Sequence, residues 1–211
     1  MKEIQVEYQN ILQDSEPVTA DNQIRQQFQS LLKINPDIAG WITINNTKVD
    51  YPILQSSDNE YYLNRNYKKD DSKAGSIFMD FRNQVKSQDR QTIIYGHQMK
   101  DGSMFGELEN FLDEEFFSQN QHFQYDTTYA SYDVEIFSVY LTTTDFNYIE
   151  TDFSNDEEYI EFLKLIKGKS EIPTDVQVSE KDNIITLSTC NNLLDPEEGR
   201  LVVHGKLTRN N

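Results

Sequence analysis

The chain has 211 residues, 36 acidic against 19 basic side chains, a formal charge of −17 at pH 7 and a single cysteine. The surplus of carboxylates repels phosphate and argues against a nucleic-acid partner, and one cysteine excludes any intrachain disulfide. No apolar run approaches the about 18–20 residues of a membrane span, no signal-peptide core is visible, and the length suits one domain with a sizeable core.

Residues 3–13 read as a polar helix with scattered apolar positions, and Pro17 lies in the break after it. Asp21 is placed to cap a second helix whose Ile24, Phe28, Leu31 and Leu32 recur at helical spacing. That helix should end by Asn35-Pro36, because a residue before proline is pushed out of the helical region and proline cannot donate the next hydrogen bond. A strand series follows at 41–45, 48–54, 76–79, 92–95, 121–125, 132–142, 175–179, 183–190 and 200–208. Turn formers and short helices separate these strands, as in an antiparallel barrel. Between 132–142 and 175–179 one more helix is predicted, with Ser154 and Glu157 as its capping box and Tyr159, Phe162, Leu163 and Ile166 as its apolar stripe. No repeat or linker divides the chain. Residues 1–33 are expected to pack as a helical segment on a mainly β barrel domain formed by 34–211.

Chemistry concentrates near the end. In Asn183-Ile184-Ile185-Thr186-Leu187-Ser188-Thr189-Cys190, Ile185 and Leu187 point one way and Thr186, Ser188 and Cys190 the other. In the strand from Arg200, the apolar set Leu201, Val203 and Leu207 leaves Arg200, Val202 and His204 opposite. If the two strands pair on a common core, Cys190 and Arg200 share a face, across a loop longer than a hairpin needs. Upstream, Tyr95-Gly96-His97 ends another strand. A thiol is the most nucleophilic common side chain near neutral pH, a histidine can carry its proton, and an arginine can hold a developing oxyanion. Composition and spacing are also compatible with an inert buried cysteine, a strand-end histidine and a surface arginine paired with Glu197 or Glu198.

The run Thr186-Leu187-Ser188-Thr189-Cys190, Arg200 at the start of the next strand and Tyr95-Gly96-His97 resemble the catalytic signature of the sortases, cysteine transpeptidases of Gram-positive cell surfaces. Gly40-Trp41-Ile42, Tyr51-Pro52-Ile53, the run from Gly75 to Asn83, the run from Tyr95 to Phe105 and the run from Thr142 to Ile149 are similar to class B members in particular. The match runs in order from about residue 24 to the C-terminus.

That resemblance implies a sortase-like barrel with N-terminal helices and an inserted helix, and an acyl transfer through a thioester on Cys190. His97 would be the proton carrier and Arg200 the oxyanion or substrate clamp, helped by the backbone amide of Asn191. Asn59, Leu63, Thr144, Tyr148, Ile149 and Ser188 match the peptide groove, with ordinary core packing the alternative for Leu63 and Ile149. The implied partners are a secreted protein bearing a C-terminal sorting signal, of an Asn-Pro-x-Thr type in class B relatives, and an amine of a peptidoglycan precursor. The full-length protein is expected at the outer face of the cell membrane, held by an N-terminal anchor of which this chain reads as trimmed. A cysteine peptidase passing the same thioester to water, and a non-catalytic surface-binding module, are the alternatives. No cofactor is implied. The acidic runs Asp113-Glu114-Glu115 and Asp156-Glu157-Glu158 lack calcium-loop spacing, so no metal is assigned. His122 is expected in solvent, and His204 lies four strand residues from Arg200, roughly 13 Å.

Overall fold

The computed structural model describes residues 2–14, 23–86, 89–191, 193–195 and 197–210. Eight strands close into a barrel in the order β1-β2-β3-β4-β7-β8-β6-β5. They are β1 (Ile38–Thr43), β2 (Asp50–Leu54), β3 (Ile77–Met79), β4 (Gln91–Tyr95), β5 (His122–Thr127), β6 (Ser131–Thr143), β7 (Ile184–Cys190) and β8 (Gly199–Arg209). Neighbouring strands are antiparallel except for β2/β3 and β4/β7, which run parallel. The expected antiparallel barrel is thus modified at two seams. Both parallel seams need crossovers, and the chain between β4 and β7 supplies the longer one.

The expected strand at 175–179 does not form among the described residues. Val176 and Val178 pack against a helix, and the backbone there is taken up by side chains: Lys167 Nζ donates to the Val176 carbonyl at 2.6 Å and Lys206 Nζ to that of Gln177 at 3.2 Å. Alternating valines report an extended segment buried on one side, and this segment is a strap with no ladder partner.

Three apolar clusters organise the molecule. The barrel interior holds Ile42, Ile53, Ile94, Val134, Ile185, Leu187, Leu201 and Val203. Outside β1–β3, helices α1 (Lys2–Asp14) and α2 (Gln26–Ile34) bury Ile4, Tyr8, Phe28 and Leu31 against Trp41, Leu54 and Phe78. Tyr8 stacks on Trp41 with ring centroids 4.1 Å apart, and its hydroxyl donates to Asp126 at 2.6 Å. The second helix ends at Ile34 before Asn35-Pro36, as expected, but starts at Gln26 with Arg25 at the N-cap and no side-chain cap. Ile24 stands outside it, 41 % exposed. Asp21 and Pro17 lie outside the described residues.

Outside β6–β8, helix α4 (Asp156–Gly168) buries Tyr159, Phe162, Leu163 and Ile166 against Phe137, Tyr140, Ile184 and Val202. Its cap is one residue later than the expected Ser154–Glu157 box. The Glu158 amide donates to Asn155 Oδ1 at 2.8 Å, and the Ser154 amide donates back to Glu158 Oε2 at 2.7 Å. Both acidic runs occupy helix starts, Asp113 capping α3 (Glu114–Gln119) and Asp156 to Glu158 forming the first turn of α4, where carboxylates are favoured by the helix dipole.

Candidate active site

Three adjacent strands bring the predicted trio to one end of the barrel. The parallel β4/β7 register places Tyr95 beside Ser188, so the chain leaving β4 carries His97 to the end of the barrel where Cys190 stands. The antiparallel β7/β8 register places Cys190 directly opposite Arg200. Cys190, His97 and Arg200 line one cleft of about 250 Å³, together with Asn59, Leu63, Ser188, Phe78, Tyr95, Gly96 and Thr189. Cys190 is exposed, as a nucleophile must be and an inert core thiol is not.

His97 is oriented by backbone. Its Nε2 lies 2.7 Å from the Leu63 carbonyl oxygen. A carbonyl only accepts, so the neutral ring carries its proton on Nε2 and leaves Nδ1 to exchange a proton with a reactant. The carbonyl comes from the 3-10 turn Tyr61–Leu63. Gly75 lets the chain pass behind that turn: its φ is +58°, and a Cβ there would fall on the Leu63 carbonyl.

Arg200 is anchored to backbone by one nitrogen. Its Nη1 donates to the carbonyls of Gly199 at 2.8 Å and Glu197 at 3.2 Å. Among the described residues it makes no ion pair with the carboxylates of Glu197 or Glu198, so the surface-pair reading does not hold. The Asn191 amide is committed elsewhere than expected: it donates to the Gly199 carbonyl at 2.9 Å, closing the β7/β8 ladder. In this conformation it is not a free oxyanion donor.

The expected groove residues divide. Asn59, Leu63 and Ser188 line the cleft, and Leu63 is 37 % exposed, which removes core packing as its account. Tyr148 lies in the loop after β6, but it is buried. Its hydroxyl meets Ser188 Oγ at 2.9 Å, so it backs the wall and does not form the surface. Burial raises the Tyr148 pKa, against opposing contributions from its hydrogen bond to Ser188 and the nearby Arg200 charge. Thr144 and Ile149 do not line the cleft. The Thr144 amide donates to the Glu198 carbonyl at 3.2 Å, tying the loop after β6 to the start of β8. Ile149 packs against the apolar cluster outside β6–β8.

Phe78, Tyr95 and Thr189 also form the walls, and the sequence carries them only inside longer motifs, with no role of their own. Tyr95 precedes His97 by two residues and shares its face in alternation, which is the signal that could have found it, whereas Thr189 sits between Ser188 and Cys190, where alternation assigns it to the opposite face. His122 is exposed and meets Asp133 at 2.8 Å. His204 is fully buried, because α4 covers the outer face of β8 that sequence alternation shows only as the side away from the barrel core.

Comparison with known proteins agrees with this geometry. A Sortase domain model matches residues 42–208. Sortase B of Listeria monocytogenes is 48 % identical over 194 residues, 92 % of this chain and 79 % of that protein. A Bacillus anthracis crystal structure described as similar to sortase B superposes with a TM-score of 0.89 at 54 % identity, covering 100 % of this chain and 96 % of that one. A Staphylococcus aureus sortase B–substrate complex gives a TM-score of 0.91 at 40 % identity, covering 100 % and 95 %. With a family model spanning most of the barrel and relatives this similar along nearly its whole length, the chain belongs to the sortase family, among the sortase B cysteine transpeptidases.

Proposed function

We propose that Cys190 is the nucleophile of a two-step acyl transfer that cleaves a sorting signal after threonine and joins the protein to an amine of the cell wall. The Cys190 thiolate attacks the threonine carbonyl, and Arg200 holds the oxyanion through the nitrogens not committed to the hairpin. The carbon–nitrogen bond breaks, and the protonated His97 ring gives the leaving amine its proton. An amine of a peptidoglycan precursor then attacks the thioester, His97 takes its proton back, and the thiolate leaves. Asn59, Leu63 and Ser188 contact the peptide, Tyr148 supports Ser188, and Thr144 and Ile149 act through the loop after β6. The enzyme works at the outer face of the cell membrane, tethered by an N-terminal anchor in the full-length protein.

The observation that carries this reading is the alignment of His97, Cys190 and Arg200 across β4, β7 and β8. Incubating the protein with a peptide carrying an Asn-Pro-x-Thr signal, with and without an amine acceptor, tests it by mass spectrometry. The expected result is a thioester on Cys190 and an amine-dependent ligated product, both absent from Cys190→Ala, which removes the thiol and little volume. Hydrolysis product alone would make the enzyme a peptidase. Cleavage by Cys190→Ala would end the thioester mechanism.

A further inference from the structure

The run Met79-Asp80-Phe81-Arg82-Asn83 leaves β3 beneath the cleft, and none of its side chains takes part in the transfer above. Asp80 has a side chain 0 % exposed. Burial alone would raise its pKa, but hydrogen bonds from Arg82, Tyr95 and Asn59 more than offset this and hold the carboxyl below its usual value. Arg82 grips it with a fork, Nε to Oδ1 at 2.8 Å and Nη2 to Oδ2 at 2.8 Å. Oδ2 also accepts from the Tyr95 hydroxyl at 2.9 Å and from Asn59 Nδ2 at 3.0 Å. Asn59 and Tyr95 both line the cleft. Arg82 Nη2 reaches on to the Ile149 carbonyl at 3.0 Å, in the loop that carries Tyr148.

A carboxylate only accepts, and this fixes the direction of each hydrogen bond around it. Tyr95 commits its hydroxyl proton to Asp80, and its oxygen already faces the Arg82 guanidinium, a hydrogen-bond donor. Asn59 commits one Nδ2 hydrogen to Asp80, while its Oδ1 accepts from the Phe81 amide at 3.0 Å. The carboxamide is therefore locked, and its second Nδ2 hydrogen has no partner among the described residues. We propose that Asp80, braced by Arg82, is a positioning residue that sets the hydrogen-bond polarity of the groove. The bound segment must then present a carbonyl to Asn59, while Tyr95, its proton committed to Asp80, has none to donate to it. This inference rests on the peptide-groove reading above.

Asp80→Asn keeps the size but creates a group that donates as well as accepts, releasing Asn59 and Tyr95 from a single orientation. With a fluorogenic peptide carrying Asn-Pro-x-Thr, KM should rise about tenfold, the scale of one or two hydrogen bonds, with kcat within about twofold. Alkylation of Cys190 by iodoacetamide should keep its rate, which a general collapse of the site would not allow. Arg82→Gln alters a side chain 36 % exposed, tolerable even if the buried change is not, and should shift KM the same way. In the proton–nitrogen spectrum, one Asn59 side-chain hydrogen should resonate downfield in the parent and lose that shift in Asp80→Asn. Unchanged KM in both variants, or alkylation falling in step with turnover, overturns the proposal. A parent that is alkylated normally but never cleaves the peptide sinks the functional reading instead, and the Asn59 resonance then decides the polarity alone.

Discussion

Arg200 holds its guanidinium to backbone by one end. Nη1 is tied to the Gly199 and Glu197 carbonyls and the guanidinium also reaches the Tyr148 hydroxyl, so the donors that remain are those an oxyanion or a peptide carbonyl can use. A lysine here would keep the charge and lose the planar fork. Arg200→Lys should therefore slow acylation of Cys190 on the order of 10²-fold or more, as when an oxyanion donor is removed, measured in a single turnover by mass spectrometry. Stability should change by only about 1 kcal/mol or less, the worth of the hydrogen bonds lost, measured by urea unfolding. Near-normal acylation would hand the oxyanion to backbone amides, and the Asn191 amide would first have to leave Gly199. The facing of Cys190 and Arg200 was legible because alternation in two strands reports which side chains share a face. The partner of His97 was not. Leu63 contributes a carbonyl oxygen from 34 positions away, and a backbone atom leaves no mark on residue choice.

At the scale of elements, what was legible was periodicity, and what was lost was pairing and end position. The stripe of Tyr159, Phe162, Leu163 and Ile166 gave α4 its buried face correctly, since one face of a 3.6-residue repeat meets the barrel. Its start was misplaced by one residue, because Ser154 and Asn155 are both good caps and only the backbone at Asn155, extended at φ −160° and ψ 178°, selects between them. Asn155→Ala should accordingly cost about 1 kcal/mol of stability, while Ser154→Ala should cost a few tenths at most, because no hydrogen bond of the cap uses its hydroxyl. Urea denaturation of the two variants checks this, and a larger loss from Ser154→Ala would put the cap back where sequence placed it. The parallel seams β2/β3 and β4/β7 were equally out of reach. A strand's alternation is the same whichever way its neighbour runs, yet the β4/β7 direction is what carries His97 to the end of the barrel where Cys190 stands.

For the molecule as a whole, the buried imidazole of His204 makes stability depend on acid. Its Nε2 lies 2.8 Å from the Tyr140 hydroxyl on β6, its Nδ1 lies 2.8 Å from the Thr186 hydroxyl on β7, and the Phe137 ring stacks at 5.9 Å. Burial pushes its pKa down from 6.5 to about 3. The unfolded chain takes up a proton near pH 6.5 and the folded chain only near pH 3, so between them the unfolded state binds more protons. The stability that depends on a neutral ring is complete above the unfolded value and falls by about 1.4 kcal/mol for each pH unit below it. Because the ring joins three strands, this loss belongs to global unfolding and not to a loop. Asp80, kept ionised by Arg82, Tyr95 and Asn59 despite its burial, loses its contribution only as pH falls through the carboxylate range. Protonating surface carboxylates acts the other way, relieving repulsion in a chain of charge −17. His204→Gln separates these effects, since a carboxamide keeps a donor and an acceptor and does not titrate. Between pH 7 and pH 5 the parent should lose about 2 kcal/mol more than His204→Gln in urea unfolding. Equal losses in the two proteins would mean that the folded ring accepts its proton near the ordinary histidine value, and that the cover over β8 opens to water far more easily than its packing indicates.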